Sequence, residues 1–166
     1  MEKKIFVIAE IGVNHNGNIK LAKKLILAAK KSGADAVKFQ HFLAKNLSTK
    51  NSKKAPYQIK NTGINETQYQ MLKKLELKEK DYFDLKLFSK KNKILFLSSV
   101  FDQNSIDFLS KKLGENLIKI PSGEITNLLL LEKIDLKKHK IILSTGMASI
   151  KEILDALNLI CRSKVF

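Results

Sequence analysis

The chain has 166 residues and a formal net charge of +15, from 31 basic and 16 acidic side chains. This length suits one domain with a buried core, but an eight-stranded βα barrel usually needs about 250 residues. Arg162 is the one arginine. Because base and phosphate recognition in nucleic acids favours the bidentate guanidinium group, we interpret the charge as a solvated lysine surface and expect no nucleic-acid partner.

The sequence also predicts a cytoplasmic protein with no membrane partner. It has no apolar run of about 18 residues, the length of a membrane-spanning helix. The apolar stretch at residues 5–11 is too short for a signal peptide and has no cleavage site. The lone Cys161 can form no internal disulfide, which agrees with a reducing compartment.

Five short apolar runs alternate with helical patterns along the chain. The runs, which we predict to be strands, are residues 5–11, 36–40, 94–98, 117–121 and 141–144. Helical spacing follows the first, second, third and fifth runs, and Ser149 with Glu152 forms a capping box before the last helix. Strands without a polar face that alternate with helices predict a parallel sheet covered by helices.

This pattern leaves two α/β architectures open. One is a five-stranded doubly wound sheet, which would be complete at this length. The other is a partial (β/α)8 TIM barrel with about five βα units of eight. The alternation of strands and helices is the same in both, so it does not distinguish them.

Polar side chains stand at the carboxyl ends of the predicted strands, where parallel βα folds bind their ligands. Lys38 and Lys119 lie within strands that we expect to be buried, so each ammonium needs an anion or a carboxylate nearby. A shared anionic ligand would satisfy both lysines, whereas the alternative is internal pairing, for example with Glu10 or Glu124. The other polar residues at strand ends are Glu10, Gln40, Ser98, Ser99, Asp102, Ser122, Ser144 and Thr145. Together they predict a pocket for a phosphate and a carboxylate.

The histidines do not predict a metal site. His15 stands at no recognisable metal-binding spacing from His41 or His139. We therefore expect His15 to fix the loop after the first strand. His139 lies in a lysine-rich run and is predicted to be solvated.

A connection of more than thirty residues separates residue 42 from residue 78. Its sequence predicts one short helix at residues 66–75 and is otherwise polar. Connections of this length within a compact unit are typically functional lids or mobile segments. Both interpretations stay open.

Four motifs stand at residues 9–17 (AEIGVNHNG), 33–40 (GADAVKFQ), 119–127 (KIPSGEITN) and 142–147 (ILSTGM). In sequence and order they resemble the sialic acid synthases, a group that includes the synthases of N-acetylneuraminic, legionaminic and pseudaminic acid. The similarity extends over practically the whole chain. The resemblance implies a βα barrel and, in complete members, a C-terminal antifreeze-like domain that reaches into the partner's site in a homodimer.

The resemblance also implies a reaction and roles for individual residues. The methylene carbon of phosphoenolpyruvate attacks the aldehyde of an open-chain N-acetylated amino sugar, water adds to the resulting cation, and the tetrahedral intermediate loses phosphate. A divalent Mn²⁺ or Mg²⁺ ion orients and polarises the aldehyde. Glu10 and Lys38 are the implied catalytic residues, and Glu10 and Gln40 would contact the sugar. The residues that would hold phosphoenolpyruvate are Lys38, Ser99, Lys119, Ser122 and Ser144.

This chain departs from the family pattern in two ways. Residues 98–102 read SSVFD where the family commonly has STPFD, so the hydroxyl of Ser99 is kept and a proline is lost. The family's metal-binding histidines lie beyond residue 166. Residues 1–166 are therefore expected to be the N-terminal portion of a barrel synthase domain, without the remaining barrel or the antifreeze-like domain, and inactive alone.

The function implied for the complete enzyme is synthesis of a nonulosonic acid for a surface glycan. The alternative is a non-catalytic remnant that binds an anion or a partner. The motifs do not distinguish N-acetylmannosamine from a diacetamido sugar as the substrate.

Overall fold

The computed structural model describes residues 5–63 and 66–162. Five parallel strands form one sheet, and their order in the sheet follows their order in the chain. The strands are β1 (Ile8–Gly12), β2 (Ala36–His41), β3 (Leu95–Val100), β4 (Leu117–Ile120) and β5 (Lys140–Leu143). The predicted α/β class and parallel sheet are confirmed, and the predicted strands differ from these only at their ends.

The sequential strand order decides between the two predicted architectures. A doubly wound sheet reverses its strand order at a switch point, so its order cannot be β1-β2-β3-β4-β5. That alternative is wrong. Sequential parallel strands are the arrangement of a βα barrel. In the described part of the chain, β1 and β5 each pair with one neighbour only, and the eight-unit barrel stays a prediction.

Eight α-helices accompany the sheet in the described ranges. They are α1 (Ile19–Lys31), α2 (Ala44–Leu47), α3 (Pro56–Thr62), α4 (Gln68–Leu75), α5 (Glu79–Lys91), α6 (Gln103–Asp107), α7 (Leu128–Glu132) and α8 (Ile150–Arg162). A π-helical turn (Phe108–Lys112) extends α6, and a 3₁₀ turn (Ser122–Glu124) follows β4. No helix among the described residues has the length and apolar character needed to cross a bilayer.

Local sequence explains where the main helices begin. The side chain of Asn18 accepts hydrogen bonds from the first turn of α1, and that of Asp102 accepts one from Ser105 at the start of α6. Ser149 and Glu152 form the predicted capping box before α8. These caps define where the helices that follow β1, β3 and β5 begin.

The main core lies between one face of the sheet and the helices. Strand residues such as Val37, Phe39 and Ile118 pack there with apolar side chains from α1, α5, α6, α7 and α8. Lys38 and Gln40 alternate with Val37 and Phe39, so they occupy the opposite face of β2. The polar face of the sheet is therefore the one that faces away from the helices.

Two predictions about polar segments need correction. The long connection contains α2 and α3 in addition to the predicted helix, which is α4. His139 is only 6% exposed rather than solvated. Its Nδ1 accepts the backbone N–H of Asp135 at 3.2 Å, and its Nε2 lies 2.9 Å from Oγ of Ser110. These contacts hold the ring inside the turn while the neighbouring lysines remain outside it.

Candidate active site

Strand register brings most of the predicted site residues onto one face of the sheet. Glu10 of β1 pairs with Lys38 of β2, and Gln40 pairs with Ser99 of β3. Ser99 in turn pairs with Lys119 of β4. Partners in a parallel ladder project to the same side, and so do residues two apart on one strand. The five side chains therefore form a continuous polar surface at the carboxyl ends of β1 to β4.

Lys38 is buried against its neighbour on β1. Its residue is 7% exposed, and its Nζ lies 2.6 Å from Oε1 of Glu10. This is the internal pairing that the sequence left open. The carboxylate of Glu10 remains 61% exposed. An incoming anion could therefore replace Glu10 at Lys38 without leaving a buried carboxylate unpaired.

Lys119 has a different environment from Lys38. It is also 7% exposed, but its Nζ donates to the carbonyl oxygen of Ile120 at 2.7 Å. Within the described residues, no carboxylate forms a salt bridge with it. Burial, and then repulsion by the Lys38 ammonium, lowers the pKa of Lys119 from 10.5 to about 8, although Glu10 opposes this shift. Among the described residues, Lys119 is thus a buried cation that forms no salt bridge.

The predicted serines lie at the ends of β3, β4 and β5. Ser99 is buried between Gln40 and Lys119 in the ladder. Ser122 begins the 3₁₀ turn after β4, and its Oγ is 3.5 Å from where a Cβ on Gly146 would lie. Ser144 follows β5, and its backbone N–H donates to Ile120 at 3.0 Å. In the described part of the chain, Ser122 and Ser144 make no hydrogen bond to either lysine, so the structure brings them near the site without joining them to it.

The end of β2 is held in place by side chains that the sequence analysis did not select. Tyr82 on α5 donates its hydroxyl to the carbonyl oxygen of Gln40 at 2.6 Å. Ser105 on α6 donates to the carbonyl oxygen of His41 at 3.1 Å. Burial lowers the pKa of His41 to about 4, so this ring is neutral. In the sequence, Tyr82 was indistinguishable from any other apolar residue of its helix.

Two glycines and a histidine shape the loop after β1. Gly12 has a φ of +56°, and a Cβ there would lie 3.4 Å from Nε2 of Gln40. His15 is buried, and its Nδ1 accepts the backbone N–H of Gly17 at 3.0 Å. Burial lowers the pKa of this histidine. The prediction that His15 fixes the loop is confirmed.

A cavity of about 570 Å³ adjoins the polar face of the sheet. Gln40 and Glu124 line it from the sheet side, and side chains of the long connection line it from the other side. Oε2 of Glu124 accepts a hydrogen bond from Asn127 at 2.7 Å. From the sequence, Glu124 is expected only as an ion-pair partner of a buried lysine, although it lies inside the motif at residues 119–127. A second cavity of about 590 Å³, near Asn116 and His139, contains none of the predicted site residues.

The fold and the site define a parallel βα protein with two buried lysines on the polar face of its sheet. The register places a serine hydroxyl and a side-chain amide beside them, which suits a ligand that carries phosphate or carboxylate groups. Among the described residues, no three His, Cys, Asp or Glu side chains are grouped to hold a metal ion.

Comparison with known proteins identifies the family. The model of the NeuB family matches residues 25–165, and the chain belongs to this family. The predicted resemblance is confirmed. The chain is 56% identical over 161 residues to an N,N'-diacetyllegionaminic acid synthase from Campylobacter jejuni. This match covers 97% of the present chain and 48% of the Campylobacter protein. It is 51% identical to the enzyme of the same name from Legionella pneumophila, over 92% of this chain and 43% of that protein.

A solved structure shows the same architecture. The N-acetylneuraminic acid synthetase of Leptospira borgpetersenii superposes with a TM-score of 0.80 at 32% identity. The match covers 98% of this chain and 52% of that one. The chain therefore spans about half the length of the relatives that it matches.

Proposed function

We propose that this chain supplies the phosphoenolpyruvate-binding part of a nonulosonic acid synthase that acts in surface-glycan biosynthesis. In the proposed reaction, a new carbon–carbon bond joins the methylene carbon of phosphoenolpyruvate to the aldehyde carbon of an amino sugar. Water then adds to the carbon that bears the phosphate, and the carbon–oxygen bond to phosphate breaks. The products are the nonulosonic acid and inorganic phosphate.

The proposal depends chiefly on Lys119. A buried ammonium without a carboxylate partner is unfavourable until an anion binds beside it. In the proposed complex, Lys119 and Lys38 contact the phosphate and carboxylate groups of phosphoenolpyruvate. The hydroxyl groups of Ser99, Ser122 and Ser144 donate further hydrogen bonds to the same ligand.

Glu10 and Gln40 are proposed to contact the sugar. Displacement of Glu10 from Lys38 by phosphoenolpyruvate would free its carboxylate to accept a hydrogen bond from a sugar hydroxyl. Gln40 lines the 570 Å³ cavity. The proposed sugar is a diacetamido sugar rather than N-acetylmannosamine, because the relatives with 56% and 51% identity are named for a diacetyl product.

Three expectations from the sequence remain part of the proposal. They are a homodimeric complete enzyme, a cytoplasmic location and a divalent Mn²⁺ or Mg²⁺ ion. The described residues do not fit a metal ion. No step attributed to these residues therefore depends on one.

Titration of the 166-residue chain with phosphoenolpyruvate tests the binding role. Lys119→Met and Lys38→Met should each raise the dissociation constant at least about 30-fold, which corresponds to loss of a charged hydrogen bond worth about 2 kcal/mol. Lys24→Met removes the same charge from an exposed position on α1 and should change nothing. Unchanged affinity in both site variants would disprove the assignment.

A second measurement separates a synthase from a non-catalytic remnant. Because residues 1–166 are expected to be inactive alone, phosphate release from phosphoenolpyruvate is followed in a complete enzyme that contains them, with and without an amino sugar and in the presence of Mn²⁺. Release that depends on the sugar and on Lys119 would support a synthase. Binding of phosphoenolpyruvate by that protein without such release would favour an anion-binding remnant.

A further inference from the structure

The 590 Å³ cavity lies at the opposite end of the sheet from the candidate active site. Asn116 and His139 line it, and they directly precede β4 and β5, so the cavity is beside the amino ends of these strands. Lys119 and the predicted serines lie towards the carboxyl ends. The volume of the cavity is within the range of about 300–1,000 Å³ that is typical of small-molecule sites. The proposed reaction uses no residue of this cavity.

The cavity carries an excess of positive charge. The charged side chains that line it are Lys111, Lys133, Lys137 and Lys138, with Asp107 and Asp135. Asp107 is shared by two of the lysines, at 2.8 Å and 3.1 Å. In the described part of the chain, no carboxylate forms a salt bridge with Lys137. Two of the four ammonium charges are therefore not balanced, and a phosphate monoester, with a charge of about −1.5 to −2 at pH 7, would balance them.

A buried histidine fixes a hydrogen-bond donor in this cavity. Nδ1 of His139 accepts the backbone N–H of Asp135 at 3.2 Å. Burial lowers the pKa of His139 from 6.5, so the ring is neutral at pH 7 and carries its proton on Nε2. Nε2 therefore donates to Oγ of Ser110, which lies 2.9 Å away. The hydroxyl proton of Ser110 remains for a further acceptor, which no described residue supplies.

The backbone around Ser110 has an unusual geometry. In the π-helical turn Phe108–Lys112 that extends α6, the backbone N–H of Leu113 donates to the carbonyl oxygen of Phe108, five residues earlier, at 2.9 Å. Such turns are rare and occur frequently at functional sites. This turn contains both Ser110 and Lys111, which line the cavity.

We propose that the 590 Å³ cavity is a second anion site, which binds the phosphate group of a small polar metabolite. The hydroxyl of Ser110 donates to a phosphate oxygen, and the ammonium groups of Lys137 and of the lysines beside Asp107 balance the phosphate charge. The rest of the ligand is polar as well, because Ile106 is the one apolar side chain among the described residues that line the cavity.

Titration of the ¹⁵N-labelled chain with inorganic phosphate and with glucose 6-phosphate tests this proposal. Both probes should shift the amide signals of residues 106–116 and 133–139 and should reach saturation, whereas glucose should shift none of them. Glucose 6-phosphate should bind at least about 3-fold more tightly than inorganic phosphate, as expected for one further hydrogen bond from the polar lining. Equal affinities would overturn the assignment to a metabolite and identify free phosphate as the ligand.

Four variants locate the site. Ser110→Ala should weaken the binding of both probes about 10-fold, because a hydrogen bond to a charged group is lost. Lys137→Met, at an exposed position, should weaken it about 3-fold and serves as an independent test if Ser110→Ala alters the π-helical turn. Lys24→Met removes the same charge from α1 and should change nothing. Lys119→Met should retain the shifts of both segments, which separates this site from the proposed phosphoenolpyruvate site.

Three outcomes would overturn the proposal. Shifts that spread over the whole lysine surface without saturation would indicate an adventitious ion only. Unchanged affinity in both Ser110→Ala and Lys137→Met would show that neither side chain contacts the phosphate. Loss of the shifts in Lys119→Met would mean that both probes bind at the carboxyl ends of the strands.

Discussion

The ends of β2 and β4 each carry a buried lysine on the same face of the sheet, yet the two regions differ in electrostatic state. At the end of β2, Lys38 contacts the carboxylate of Glu10 at 2.6 Å. At the end of β4, Lys119 donates to a carbonyl oxygen and forms no salt bridge with any described residue, and its pKa is lowered to about 8. Two lysines that are equally buried therefore differ in how favourably they bind an anion. An anion must open an ion pair at Lys38, whereas it adds a missing partner at Lys119.

The largest expected effect is a gain in stability when Lys119 is removed. The fall of its pKa from 10.5 to about 8 corresponds to roughly 3 kcal/mol at neutral pH, because one unit is about 1.4 kcal/mol. Lys119→Met should therefore raise the free energy of unfolding at pH 7 by about 1–3 kcal/mol, as measured by urea denaturation. Lys38→Met is the comparison. It should raise the free energy of unfolding by no more than about 1 kcal/mol, since Glu10 already offsets the charge of Lys38.

The pH dependence of this gain has a defined sign. Between pH 8 and 10.5, the unfolded chain binds more protons at Lys119 than the folded chain does, so wild-type stability rises with pH there. The advantage of Lys119→Met should be complete below pH 8 and should disappear towards pH 10.5. Destabilisation by this substitution at pH 7 would contradict the unpaired state of Lys119.

A smaller effect is expected on ligand affinity as the pH rises. Lys119 loses its proton above its pKa of about 8, and an uncharged amine binds an anion weakly. Phosphoenolpyruvate affinity should therefore fall about 10-fold between pH 7 and pH 9. The dependence should be absent in Lys119→Met and retained in Lys38→Met. A flat profile for the wild-type chain would show that Lys119 does not contact the ligand.

The smallest effect is expected from Glu10→Gln. This substitution removes the carboxylate that competes with an anion for Lys38, so phosphoenolpyruvate should bind about 3- to 5-fold more tightly, as expected for a partly exposed ion pair worth about 1 kcal/mol or less. Titration calorimetry measures the change. Glu132→Gln removes the same charge from an exposed position on α7 and serves as the control. Weaker binding of phosphoenolpyruvate after Glu10→Gln would mean that the Glu10 carboxylate mainly stabilises the protonated form of the lysines.

Much of the site could be predicted from strand ends and motifs. Lys38 and Gln40 were assigned to one face of β2 because side chains alternate along a strand, and the ladder confirms that Glu10, Ser99 and Lys119 join them. Tyr82 escaped prediction. It donates its hydroxyl to a carbonyl group 42 positions away in the sequence. Such a contact leaves no short-range pattern.

The sequence by itself determined the strands, the parallel α/β class, the helix caps and the polar residues that stand at the strand ends, because periodicity and capping are local properties. Only the tertiary structure decided the sequential strand order, the partner of Lys38 and the burial of His139. Strand order depends on how successive βα units pack, and the state of a buried charge depends on which side chains the register brings beside it. For that reason Lys38 and Lys119, alike in sequence, differ in the folded protein.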